Sequence, residues 1–195
     1  MAKNKDDFQS YKDYFLIASP TMRDPSFKDA VVYLCEHTPK GAMGIVINRA
    51  VAMSVADLMN RIGIGECDPA LAEKFLYDGG PVQNERGFVL HRPKYFFQST
   101  LAITNDMMLS TSRDALEAIA KAESQVSESL ISLGYSGWSA GQLEDELAGD
   151  GWLLAPAQGS IIFETPVQDR YRAALGLLGL ADISPENWAF EQGHA

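Results

Sequence analysis

Apolar residues along this chain fall into short, bounded runs, and the turn residues between them set the predicted elements. Phe15-Leu-Ile-Ala18 reads as a strand stopped by Ser19-Pro20. Val31 to Glu36 is β-branched and aromatic and reads as a second strand. Thr38-Pro-Lys-Gly41 is a loop, Met43 to Asn48 a further strand, and the two strands form an antiparallel hairpin. Both are nearly continuously apolar, which predicts burial on both faces. Phe75-Leu-Tyr77, Gly87 to His91, Gln98 to Thr104 and Glu128 to Tyr135 are also predicted strands. Trp152 to Ala155 and Ser160 to Glu164 are predicted to pair about Pro156-Ala-Gln-Gly159.

Capping signals place the helices. Ser54-Val-Ala-Asp57 has the pattern of a capping box and opens a helix ending near Gly63. Residues 63–74 are a loop with a helical turn at Ala70 to Lys74. Thr111-Ser-Arg-Asp114 caps a helix through Lys121, and Ser139-Ala-Gly-Gln142 one through Leu147. Thr165-Pro166, with Gln168 following, opens a helix that turns Tyr171, Ala174, Leu175 and Leu178 to the core. Asp24-Pro25 marks a turn and Phe27 an anchor into the core. Residues 1–12 form a polar leader; a last helical turn is expected at Ser184-Pro185, and residues 190–195 are a flexible tail. Strands come in local pairs between helices, without a strict βαβ rhythm. The fold class is therefore α+β, with a mostly antiparallel or mixed sheet, in one domain over residues 1–195.

Composition narrows the function classes. Residues comprise 46% hydrophobic and 22% charged types, which is ordinary globular composition. Lys and Arg number 16 against 26 Asp and Glu, so the net charge is 16 − 26 = −10. That balance repels phosphate backbones and argues against direct nucleic-acid binding. With two cysteines, three histidines and no C-x-x-C, no metal site and no cofactor are expected. The start is polar and no run is long enough to span a membrane, so a cytoplasmic protein with reduced thiols is expected.

Four groups of residues could carry chemistry. Gly137-Trp-Ser-Ala-Gly141 matches G-x-S-x-G, but Ser139 is more simply an N-cap partnered by Gln142, and the later histidine, His194, lies in the tail. Cys35 and His37 are two apart on a predicted strand, hence on one side, where a histidine could hold a thiolate. The alternative is a core cysteine beside a polar strand end. Asp78-Gly-Gly-Pro81 with Arg86-Gly87 could converge backbone N–H groups on an anion, with Arg86 as its charged partner; the alternative is a tight turn with Arg86 paired to Glu85 or Glu144. Arg49, His91 and Arg92 add positive charge, and Arg86 and Arg92 share strand parity. Glu144 and Glu146, two apart on a helix, point in different directions.

Phe15 to Pro20, Asp24-Pro-Ser-Phe27, Val31 to His37, Gly41 to Arg49, Gly79-Gly-Pro-Val82 with Arg86-Gly87, Gly134 to Trp138, Gly141 to Glu146 and Trp152 to Ala157 together resemble the YqgE/AlgH family of bacterial proteins. The motifs span nearly the whole chain in the family's order. One departure is Ala50 after Arg49, where the family is commonly proline-led. The resemblance implies an AlgH-like α+β domain of strongly coiled, branching sheets flanked by helices. It implies no established activity. One member's name carries an association with transcriptional regulation.

The expected function is a ligand-binding or regulatory module for an anionic small molecule or a protein partner. Its site would be Asn48, Arg49, Gly79, Gly80, Arg86 and Gln142. The alternatives are an enzyme using Cys35 and His37, and a transcriptional regulator, with direct DNA contact disfavoured by charge.

Overall fold

The computed structural model describes residues 8–92, 96–121 and 128–182. The predicted turn at Ser184-Pro185, the 190–195 tail and His194 lie outside them. In chain order the strands are β1 (Tyr14–Ala18), β2 (Val31–Thr38), β3 (Gly41–Val46), β4 (Ala50–Ser54), β5 (Phe75–Asp78), β6 (Val82–His91), β7 (Thr100–Ala102), β8 (Met108–Ser110), β9 (Ser129–Ser139) and β10 (Trp152–Pro156). The helices are α1 (Val55–Arg61), α2 (Pro69–Ala72), α3 (Arg113–Ala120), α4 (Gln142–Ala148), α5 (Gly159–Phe163) and α6 (Arg170–Gly176).

The strands form one curled sheet in the order β10-β1-β2-β3-β9-β6-β8-β7, with β5 branching from β9 and carrying β4. All pairs are antiparallel except β5 on β9. The fold is α+β, as the alternation of strand pairs and helices predicts. β9 is the hub because it is long enough, at 11 residues, to serve three neighbours. Its C-terminal part pairs with β3, its N-terminal part with β6, and Ser132 and Leu133 pair with β5 on the other edge.

Period-two alternation sends the continuous apolar strands into different cores. Phe15, Ile17, Val31, Tyr33, Cys35 and Ile45 face the inside of the curl with Phe88, Leu90 and Leu130, sealed by α5 and α6. Leu16, Val32, Leu34 and Val46 face the opposite side, under Leu143 of α4 with Trp138 and Trp152. Val89 and Ile131 face a third cluster made with α1 and α3. A run such as Val31 to Cys35, fully buried throughout, thus needs two cores.

Three local expectations differ. Ser160 to Glu164 is not a strand: Gly159–Phe163 is helical, with Ile161 and Ile162 both in the inner core. A strand would send adjacent isoleucines to opposite faces. Ser139 is not the N-cap of α4. Gly141 is, in the left-handed region at φ 79°, while Ser139 ends β9. Half of the expected box survives, because Gln142 Oε1 accepts from the Ser139 N–H (3.0 Å) and hydroxyl (3.1 Å). Nor does Thr165 cap α6: a 3-10 turn at Val167–Asp169 comes first, and the Thr165 hydroxyl donates back to Ser160 O. The box at Ser54 and Asp57 is present with both bonds. The helix from Thr111-Ser112 begins as expected, but Ser112 Oγ accepts from Ser99 N–H outside the helix.

The chain leaving β5 crosses β9 at very close range. Gly79 N–H donates to Leu133 O (2.9 Å), and Val46 N–H donates to Gly79 O (3.0 Å). A Cβ at Gly79 would collide with Gly134 O, and one at Gly80 with Ser136 Oγ and the Tyr135 backbone. Gly80 also has φ 140°, a conformation that side chains resist. Gly80→Ala should therefore lower unfolding stability by about 3 kcal/mol through strain and overpacking. Urea denaturation at constant m-value measures this; a loss under about 0.5 kcal/mol would mean the crossing is looser than described.

Candidate functional site

The glycine-rich segment does not present a free anion nest. The Gly79 N–H is bonded to Leu133 O, the Gly80 N–H to Asp78 Oδ1, and both residues are buried. Gly79 and Gly87 lie on opposite edges of β9 at Leu133, so Arg86 is separated from the glycines by that strand. Arg86 is exposed, donates to Thr111 Oγ1 (3.1 Å) and Gln83 Oε1 (3.4 Å), and lies over Phe88. Asn48 and Arg49 serve the preceding loop. Asn48 bridges Val31 N–H and Asp29 O, and the Arg49 guanidinium donates to the carbonyls of Ser26 and Lys28. Gln142 follows the far end of β9, about 20 Å along the strand from Leu133. These six residues hold the fold at separate places and do not converge on one pocket. Arg86 lies midway along β6 and Arg92 just beyond its C-terminal end, with Arg92 paired to Glu128 at 3.0 Å.

The expected shared side for Cys35 and His37 is broken by a β-bulge. Leu34 pairs with Gly44 and Glu36 with Met43, leaving Cys35 as the extra residue. Parity flips at that point. Cys35 enters the inner core, while His37 faces Tyr11 and Glu144 on the other side. Burial, and then the neighbouring Glu36 charge, push the Cys35 thiol far above its ordinary range. His37 Nδ1 accepts from Tyr11 N–H (2.9 Å) and its Nε2 bonds Glu144 Oε1 (3.1 Å), which ties the N-terminal segment to α4. Glu146, in turn, accepts from both Trp138 and Trp152.

A serine–histidine pair does occur, at a place the sequence motifs did not indicate. His91 Nδ1–H donates to Arg92 O (2.9 Å), which leaves Nε2 to accept from the Ser110 hydroxyl at 2.9 Å. Both residues are buried, Ser110 completely, and Thr100 Oγ1 bonds Ser110 Oγ (2.8 Å). Desolvation holds the His91 pKa below its ordinary value, partly offset by the Arg92 carbonyl. With no access for a substrate, this relay is a core hydrogen-bond chain. Among the described residues, no three His, Cys, Asp or Glu side chains gather to hold a metal ion.

The arrangement with most chemical potential is a cleft of about 270 Å³ between β5 and β9, closed by α5 and α6. Its walls are apolar, formed by Val55, Leu71, Phe75, Ile119, Leu130, Ile131, Ile162 and Phe163. Among the described residues, its charged lining is Lys74 and Arg170. Arg170 is 5% exposed and starts α6. Its guanidinium donates to Thr165 O (3.0 Å) and Ile47 O and lies over the Tyr77 ring at 5.0 Å. Desolvation lowers its pKa, with Tyr77 opposing. No carboxylate lies within ion-pair distance of it among the described residues. A single arginine in an amphipathic helix gives no sequence signal, so this residue was not anticipated. No helix among the described residues is long and apolar enough to cross a membrane.

Comparison with known proteins supplies relatives. A family model described as AlgH-like matches residues 15–182. A UPF0301 protein of Chromobacterium violaceum is 46% identical over 95% of this chain and 98% of its own length. One from Dechloromonas aromatica is 50% identical over 87% and 90%. The solution structure of AlgH from Pseudomonas aeruginosa superposes with a TM-score of 0.77 at 42% identity, covering both chains completely. Protein DIP2367 of Corynebacterium diphtheriae, at 19% identity and a TM-score of 0.67 over 90% of this chain and 88% of its own, shares the fold.

Two measurements check these placements. Titration of the native protein with a thiol reagent should modify the half-buried Cys67, and Cys35 only after unfolding. Rapid native reaction of Cys35 would contradict its burial. The depressed His91 pKa means that the unfolded chain binds the extra proton first. Its stabilising contribution is complete above the ordinary pKa of 6.5 and is lost as pH falls from there through the folded value. His91→Gln should flatten the fall in melting temperature between neutral and mildly acidic pH; an unchanged slope would contradict the assignment.

Proposed function

Because this chain belongs to the AlgH-like family, whose similar members carry names that state no activity, we propose its function from the cleft itself: it is a small-molecule-binding domain whose ligand is an anion with an apolar body. The observation that carries this reading is the buried charge of Arg170 without a carboxylate partner among the described residues. An arginine stays protonated, and an ion drawn out of water costs several kcal/mol unless paired. Two carbonyls and the Tyr77 ring compensate part of that cost. A carboxylate completes the set through charge-assisted bonds to the planar fork.

The surroundings support the same ligand. Lys74 is exposed and lines the same cleft, so it adds attraction without a burial cost. The apolar walls bury the ligand's body, and among the described residues no acidic side chain lines the cleft to repel it. The Gly79-Gly80 segment is scaffold in this reading: it fixes β5, and with it Tyr77, against β9.

The test is a thermal-shift series with straight and branched aliphatic carboxylates from butanoate to octanoate. One of them should raise the wild-type midpoint, because binding at a hundredfold excess over Kd adds about 2.7 kcal/mol. Lys74→Ala should fold normally and bind roughly threefold more weakly, in line with an exposed charge. Arg170→Met should lose the shift altogether. A carboxylate shift identical in all three proteins, or none in any, would contradict the proposal.

A further inference from the structure

The cleft exposes more than a charge. β9 is paired with β6 through His91↔Ser129, Leu90↔Leu130 and Val89↔Ile131. On its other edge, β5 joins only at Tyr77↔Ser132 and Asp78↔Leu133. Residues Ser129 to Ile131 therefore have one open strand edge, and all three line the cleft. In an antiparallel ladder alternate residues turn their N–H and C=O away from the partner, so at least one of these three presents both groups to the open side. Leu130 and Ile131 are 3% and 4% exposed. Because Gly79 N–H donates to Leu133 O, the parallel ladder places Tyr77 N–H on Ile131 O, and the groups left on this edge are Ile131 N–H with those of Ser129, which no loop, turn or side-chain hydrogen bond among the described residues reaches. Buried backbone groups are almost always paired, so an occupant of the cleft is the natural partner for this edge.

Resting on the anion-site reading above, we propose that the ligand is an N-acylated amino acid or a close analogue: a carboxylate for Arg170, a secondary amide for the β9 edge, and an apolar side chain for the cleft walls. The amide N–H donates to one carbonyl of this edge, while the amide's own C=O, anti to that N–H in a trans amide, points away from the strand. The volume of about 270 Å³ suits a molecule of that size and not a polypeptide. Lys74 and Arg170 set its polarity, with the carboxylate toward the positive end.

Calorimetric titration of the full chain with four matched probes tests this. They are N-acetyl-leucine, 4-methylpentanoate (the same body without the amide), N-acetyl-leucinamide (without the carboxylate) and N-acetyl-N-methyl-leucine (without the amide N–H). N-acetyl-leucine should bind at least tenfold tighter than each of the other three, and Arg170→Met should abolish its advantage over the leucinamide. If 4-methylpentanoate or the N-methylated probe binds as tightly as N-acetyl-leucine, the amide makes no edge contact, and the acyl amino acid inference fails while the anion site stands. If the leucinamide binds as tightly as N-acetyl-leucine, or if none binds, both readings fail.

Discussion

The crossing of Gly79-Gly80 over Gly134 is the constraint on which the rest of this structure depends. Three backbones meet there: Val46 donates to Gly79, Gly79 donates to Leu133, and the Ser136 hydroxyl donates to Gly79 O as well. No residue with a Cβ fits at either glycine of the β5 exit. The crossing lets β5 join β9 for only two residues while β3 takes over the other end of the same strand. A sheet that branches in this way cannot remain closed along both edges. The opening it leaves is the cleft beside Ser129 to Ile131.

Arg170 then occupies the position where that opening meets the inner core. Its bonds to Ile47 O and Thr165 O join the end of the β3 segment to the turn before α6. The residue therefore holds helix to sheet and also lends the cleft its charge. The same economy recurs elsewhere. Asn48 and Arg49 secure the 24–29 loop through three of its carbonyls and Val31 N–H beyond it, and His37 with Glu144 fastens the N-terminal segment across α4. Of the polar groups that stand out in the sequence, most are satisfied by the backbone around them. In the proposed reading, the buried arginine and the open β9 edge are where a ligand completes the bonding.

The fold was legible wherever one local rule decided the outcome. Alternation and β-branching located β1, β2, β3 and β5, and the reciprocal box at Ser54 and Asp57 located α1. It failed where tertiary context decided. Ser160 to Glu164 is short enough to suit either period, and only the shared core of Ile161 and Ile162 makes it helical. β8 carries only three residues, and β4, exposed at Ala50 and Ala52, has no buried apolar run to mark it. The shared side expected for Cys35 and His37 fails because a bulge breaks strand parity without leaving a sequence mark, while Cys35 packs in the core as its other reading had it. The glycine motif was read as backbone N–H groups free to converge on an anion, whereas those groups meet β9 and Asp78. Arg170 had no signal, since nothing in a helix sequence tells a buried arginine from a solvated one.

The measurement that tests the account most directly is the set of intermolecular NOEs between the methyl groups of 4-methylpentanoate and the protein. The account predicts contacts to Ile131, Ile162 and Phe163, with the Arg170 Nε–H resonance shifting on titration. Contacts confined to Arg86, Gln142 or the 24–29 loop, with the Arg170 resonance unmoved, would contradict it.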